Sequence, residues 1–126
     1  MSPPASRQRR ANYDFGLRAE SLAALWLQLK LYKILARRYR VNGGEIDIVA
    51  RRGDDIIFVE VKARGALDDA MIAITPQKQR RLAIAAARWL AANPWAAQYT
   101  LRADAVFVAP RRLPRHVIDV MELRIG

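Results

Sequence analysis

Two runs of alternating apolar and polar residues flank Gly53-Asp54, and this pairing constrains the fold more than any other feature of the chain. Gly-Asp between strand-like runs signals a hairpin, since a tight turn needs a residue free to adopt positive φ. A two-residue turn there sets Asp47 opposite Glu60 and Glu45 opposite Lys62. A four-residue loop from Arg52 to Asp55 gives the same register. Directly opposed side chains share a face, with Cβ atoms roughly 4.5–5.5 Å apart. Two acids that close repel unless a cation or a shared proton sits between them. Lys62 follows Glu60 by two residues and so joins the same face. Two carboxylates beside an ammonium suit a divalent metal and a phosphate.

The plain alternative is a pair of solvated acids on an amphipathic hairpin. Against it, Val49 and Phe58 share the acids' face, while Ile46, Ile48, Ile57, Val59 and Val61 fill the other. Strands apolar on both faces lie inside a sheet, where acids need a reason. Carboxylate oxygens suit Mg²⁺ or Mn²⁺, and Mg²⁺ takes one or two carboxylates, several waters and substrate phosphate. Such an ion activates water and offsets charge on a phosphodiester. Lys62 would then hold the scissile phosphate or help deliver the water. Glu45 reads equally well as an ion-pair partner of Lys62. Glu20, taken alone, reads as an acid favoured by a helix dipole.

The chain has 126 residues, enough for one domain. Residues 1–11 read as a flexible basic arm and residues 12–126 as a single domain. A formal charge of +10 draws polyanions, nucleic acid first. No apolar run reaches membrane length, and the basic start lacks the apolar stretch of a secretory signal. Cysteine is absent, which excludes disulfides and thiolate chemistry and agrees with a cytoplasmic setting. Lys78, Arg80 and Arg81 open a helix, where cations are unfavourable unless an anion sits nearby. Arg51, Arg52 and Arg64 flank the hairpin strands and extend the candidate nucleic-acid surface, as do Arg37, Arg38, Arg40, Arg111 and Arg112. No base-reading motif accompanies them, so backbone charge and shape are the expected basis of binding. His116 reads as exposed, and no serine has a partnered base in view.

Periodicity predicts a helix over 13–30 with two apolar stripes: Leu22, Leu25, Trp26 and Leu29, and nearly opposite, Ala23, Ala24, Leu27 and Leu31. Burial on two sides would follow, by the core and by a partner subunit. Strands are expected over 32–41, 45–50, 56–62, 101–108 and 117–123. Residues 63–74 give no clear element; Gly65 marks a loop there and Asp68-Asp69 a solvated tip. Thr75 caps a second helix that opens on Pro76 and stops at Asn93-Pro94. The order α-β-β-β-α-β-β implies a mixed sheet with a helix on each side, the second helix crossing over to a parallel strand.

The stretch Gly44-Glu45-Ile46-Asp47-Ile48-Val49, followed by Phe58-Val59-Glu60-Val61-Lys62-Ala63-Arg64, resembles the hallmark of the YraN family of bacterial proteins. That family is similar to restriction-endonuclease-like nucleases, near the archaeal Holliday junction resolvases. The likeness runs over residues 12–108 and includes Gly16 to Glu20, Ala24 and Thr75-Pro76-Gln77-Lys78. It implies an α/β fold with a restriction-endonuclease-like α-β-β-β-α-β core, a mixed central sheet flanked by helices. By position, Asp47, Glu60 and Glu20 would bind the metal, and Lys62 would be the catalytic lysine. The chain departs from the pattern twice: Arg38 stands where Asn is expected, and Ala103 where an aromatic often precedes the Asp of the later strand. The expectation is a Mg²⁺- or Mn²⁺-dependent, structure-selective DNA endonuclease acting on branched DNA as a homodimer. Its rival is a nucleic-acid-binding module on the same fold without catalysis.

Overall fold

A computed structural model of the chain describes residues 4–63 and 74–123, with side chains described from residue 17 onward. Among the described residues, the order is α1 (Pro4–Leu29), β1 (Lys33–Val41), β2 (Gly44–Arg52), β3 (Asp55–Ala63), α2 (Pro76–Ala92), a 3-10 turn (Pro94–Gln98), β4 (Thr100–Val108) and β5 (Arg115–Met121). The strands form one sheet in chain order, antiparallel except for the β3–β4 pair, which is parallel. The fold is thus α/β with a mixed five-stranded sheet. Arg64, Gly65 and the Asp68-Asp69 tip lie outside the described residues.

The first helix starts at Pro4 rather than near Tyr13. Residues 4–11, expected as an arm, therefore form its first turns. Ala, Arg and Gln are good helix formers, and proline is tolerated at a first helical position. Composition without apolar periodicity had concealed them. The helix ends on Leu31 at φ 72°, with Tyr32 N donating to Leu27 O at 2.9 Å and Leu31 N to Gln28 O at 2.9 Å. This is a Schellman end with leucine where glycine is usual, held by the packing of Tyr32 on Leu27. Thr75 caps α2 as expected, its hydroxyl accepting from Lys78 N at 3.2 Å.

Two cores sandwich the sheet. Ala19, Ala23, Ala24 and Leu27 of α1 pack on Ile48, Ala50, Ile57 and Val59. Leu82, Ala85, Ala86 and Trp89 of α2 pack on Val49, Ile56 and Phe58. The other α1 stripe stays in solvent, with Leu22, Leu25 and Leu29 at 46%, 52% and 69% exposure. Leu31, expected on the buried stripe, is 82% exposed because the helix has already ended.

In β2 the strand alternation breaks beside Asp47. Ile46 packs with the α2 core and Ile48 with the α1 core, although they are two residues apart. The expectation that both share a face is corrected here. The neighbouring strand breaks at the same level, where Arg38 takes φ 51° between Arg37, paired to Ile48, and Tyr39, paired to Ile46. Gly44, at the start of β2, lies against α2. A Cβ there would sit 2.8 Å from Ala85 N and closer still to Arg81 O. Only glycine lets this end of β2 approach the middle of α2.

Candidate active site

The hairpin register agrees with the sequence: the paired residues run from Arg52–Asp55 to Ile48–Val59, around a turn with Gly53 at φ 60°. Beyond Ile48–Val59, the Asp47 carboxylate accepts from the Val61 amide at 2.7 Å. Asp47, Glu60 and Lys62 open on one cleft of about 410 Å³, with Glu45 at its β2 side and Gln77, Lys78 and Arg81 of α2 opposite. Lys62 Nζ lies 2.9 Å from Glu60 Oε1, and both side chains are largely buried. Glu45 does not pair with Lys62; it reaches outward to Arg40 at 3.6 Å. Glu60 lies nearer the ammonium because same-strand neighbours two apart project together.

Burial pushes the Asp47 carboxyl up to about 7, and the charge of Glu60 adds to it; the Val61 amide works against this, while Glu45 and Glu20 contribute further repulsion. Glu20 thus lies near enough to be felt, but it is engaged elsewhere. Arg38 Nε donates to both Glu20 oxygens at 3.1 Å, and Arg37 Nε stands 3.4 Å away. Among the described residues, no three His, Asp or Glu side chains gather as one metal-ligand set. Glu20 is therefore not brought together with Asp47 and Glu60 as a third ligand. The donor set that is present fits a hard cation: two carboxylates crowded in one polar cleft, where a divalent ion would offset their mutual repulsion. Mg²⁺ needs no more than one or two carboxylates from protein.

The basic residues divide. Lys78 and Arg81 line the cleft, and Arg80 is exposed on α2 but does not line it. Arg51 and Arg52 lie at the turn end of the hairpin, Arg51 about 13 Å along the strand from Asp47. Arg51 covers the Tyr99 ring at 4.6 Å, and Arg52 covers Tyr32 at 4.4 Å and donates to Lys30 O at 3.1 Å. They do not converge on the cleft.

The family model described as "Uncharacterised protein family UPF0102" matches residues 19–108, which contain Glu20, Asp47, Glu60 and Lys62. The chain belongs to the UPF0102 family. It is 59% identical to a UPF0102 protein of Methylocella silvestris, over 94% of this chain and 95% of the relative. To UPF0102 proteins of Methylobacterium nodulans and Methylorubrum extorquens it is 58% and 56% identical, over 95% and 98% of this chain and 93% and 98% of theirs.

This UPF0102 chain also holds a buried polar cluster that its sequence conceals. Asp104 is fully buried on β4. Its carboxylate accepts from Arg102 at 2.8 and 3.0 Å and from the Asp119 amide at 3.0 Å, and meets His116 Nε2 at 2.7 Å. His116 Nδ1 lies 2.6 Å from Lys30 Nζ at the end of α1. The His116 side chain is 1% exposed, which corrects its reading as an exposed residue. One polar residue in a basic stretch gave no periodic signal; only the β4–β5 pairing, which sets His116 against Val106, turns it inward.

The raised Asp47 carboxyl carries a stability consequence. A carboxyl held above its ordinary range stabilises the fold while protonated, and that contribution is lost as pH rises from about 4 through about 7. Asp47→Asn stays neutral and still offers an oxygen to Val61. Urea denaturation in chelator is expected to show Asp47→Asn more stable than the parent by about 2–4 kcal/mol at pH 8, a gain that vanishes near pH 4. Equal stability at both pH values would remove the case for carboxylate crowding.

Proposed function

We propose that this protein is a Mg²⁺- or Mn²⁺-dependent DNA endonuclease with a restriction-endonuclease-like core, selective for branched DNA. The observation that carries this reading is the shared cleft of Asp47, Glu60 and Lys62, in which burial and a second carboxylate hold Asp47 up to about 7. Crowded acids of this kind are a cost to a binding module and an asset to an enzyme that recruits a cation. Asp47 and Glu60 would hold the ion. When bound, it supplies an activated water and offsets charge on the phosphodiester.

The chain's own side chains account for the rest. Lys62, oriented by Glu60 at 2.9 Å, puts an ammonium where negative charge develops on the scissile phosphate. Lys78 and Arg81 face the carboxylates across the cleft and would seat the DNA backbone. Arg80 adds charge beside them. The exposed Leu22, Leu25 and Leu29 stripe supports assembly as a homodimer, which suits a substrate with paired strands. Among the described residues, no helix is long and apolar enough to cross a membrane.

The test is cleavage by the purified protein of linear, flapped and four-way DNA, each with Mg²⁺, Mn²⁺ or chelator. Divalent-dependent nicking of branched DNA in preference to linear duplex is expected. Binding without cleavage under every metal, and no divalent site in a titration, would favour the non-catalytic module.

A further inference from the structure

The Asp104 cluster ends on a partly exposed amine. Lys30 follows the last residue of α1 and is half-buried. Its Nζ lies 2.6 Å from His116 Nδ1, and His116 Nε2 lies 2.7 Å from Asp104 Oδ2. An acid, an imidazole and an amine thus stand in one row. Hydrogen bonds hold the Asp104 carboxyl below its ordinary value, so it is ionised. An ionised Asp104 favours a proton on His116 Nε2, which leaves the Nδ1 lone pair facing Nζ.

The surroundings favour a neutral amine. Burial holds the Lys30 amine below its ordinary range, and the Arg52 charge adds to this; Asp104 works against it and Arg102 with it. The groups that face Nζ are therefore His116 from β5, Arg52 from β2, and Asp104 and Arg102 from β4, with the Tyr32 ring edge-on to His116 at 5.8 Å. The acid among them is already engaged by Arg102 at 2.8 and 3.0 Å. Arg52 is exposed, yet its position is fixed: it covers the Tyr32 ring at 4.4 Å and donates to Lys30 O at 3.1 Å. A fixed guanidinium beside the amine draws an anionic reagent.

We propose that Lys30 is a nucleophilic lysine, activated by His116 and acylated by small acyl phosphates that Arg52 attracts. Nζ attacks the acyl carbon. An N–C bond forms, the C–O bond to phosphate breaks, and phosphate leaves with the bonding pair. His116 Nδ1 takes the Nζ proton, and Asp104 steadies the imidazolium until the proton passes to the released phosphate. The amide product is uncharged, so one positive charge is lost at the end of α1. The site shares no residue with the Asp47 cleft, so it stands whether or not the protein cuts DNA.

The test incubates the full chain with acetyl phosphate at neutral pH and follows each lysine by peptide mass spectrometry. Lys33, exposed on β1, is the internal reference. Lys30 is expected to acylate about a hundredfold faster than Lys33, the low end for a positioned base. In urea the two rates should become equal, because the row of groups is gone. His116→Gln keeps a hydrogen-bonding side chain without a base and should bring Lys30 within a few-fold of Lys33; the urea arm decides the matter if that variant does not fold. Rates within a few-fold of each other in the folded parent would overturn the proposal, as would a preference for Lys30 that persists in urea or in folded His116→Gln. Arg52→Gln should slow acetyl phosphate more than phenyl acetate, an uncharged donor of the same acyl group. Equal slowing of both would overturn the assignment to an anionic donor.

Discussion

Lys62→Ala protein is expected to cut branched DNA about a hundred- to a thousandfold more slowly than the parent, with DNA affinity within a few-fold. The size follows from where the ammonium sits. It is buried, fixed 2.9 Å from Glu60, and aimed into the cleft that would receive the phosphate. Removing one preorganised donor from such a site costs about 10²–10³ in rate. The lysine also offsets the crowding of Glu60 on Asp47, so its loss should disturb cation binding as well. Glu60→Gln and Asp47→Asn should each reduce cleavage as severely, by removing a ligand. Binding should survive in all three, since Lys78 and Arg81 stand on a different element. Lys62→Gln serves as a folding control, being of similar length and uncharged. Full activity in any of the three variants at millimolar Mg²⁺ would remove that residue from the mechanism.

Asp104→Ala is expected to lose about 3–5 kcal/mol of stability, the scale for breaking a buried ion pair and stranding its partners. Four groups depend on this carboxylate: the Arg102 guanidinium, His116, the Asp119 amide and, through His116, Lys30. Against a total of roughly 5–15 kcal/mol for a domain, that is a large fraction. Burial alone would raise the Asp104 carboxyl, but hydrogen bonds from His116, Arg102 and Asp119 outweigh it and hold the carboxyl below its ordinary value. A depressed carboxyl stabilises above the pKa of the unfolded chain, and that stability is lost as pH falls through the folded value. The parent should therefore weaken on acidification below about pH 4, and Asp104→Ala should show a flatter acid limb in urea titrations. A loss under 1 kcal/mol would mean that the cluster is not a structural tie.

These two clusters differ in how far the sequence disclosed them. The hairpin was legible because its information is local: Gly53-Asp54 sets the turn, alternation sets the faces, and the register follows by counting. Thr75-Pro76 was legible for the same reason. The Asp104 cluster joins α1, β4 and β5, residues 30, 104 and 116, and no spacing rule connects them. The break at Arg38 was also hidden. Arginine has no special preference for positive φ, so only its standing where asparagine is expected marked the place where Ile46 and Ile48 part, and where Glu20 acquires two guanidiniums. Glu45 went astray for a related reason. The β2–β3 pairing ends at Ile48–Val59, short of Glu45 and Lys62, and Lys62 has a nearer acid along its own strand.

The position of β1 at the margin of the sheet has a further effect. A margin strand offers unpaired backbone groups to any other chain and can seed aggregation. Here Lys33, Arg37, Arg38 and Arg40 stud that margin, the register shifts between Ile34 and Ala36, and Arg38 twists the backbone out of line. Like charges and an irregular outline repel a second copy's strand. The same arginines thus act as gatekeepers for solubility, so charge-removal scans across β1 should be read alongside light scattering before any loss of DNA binding is assigned to contact with phosphate.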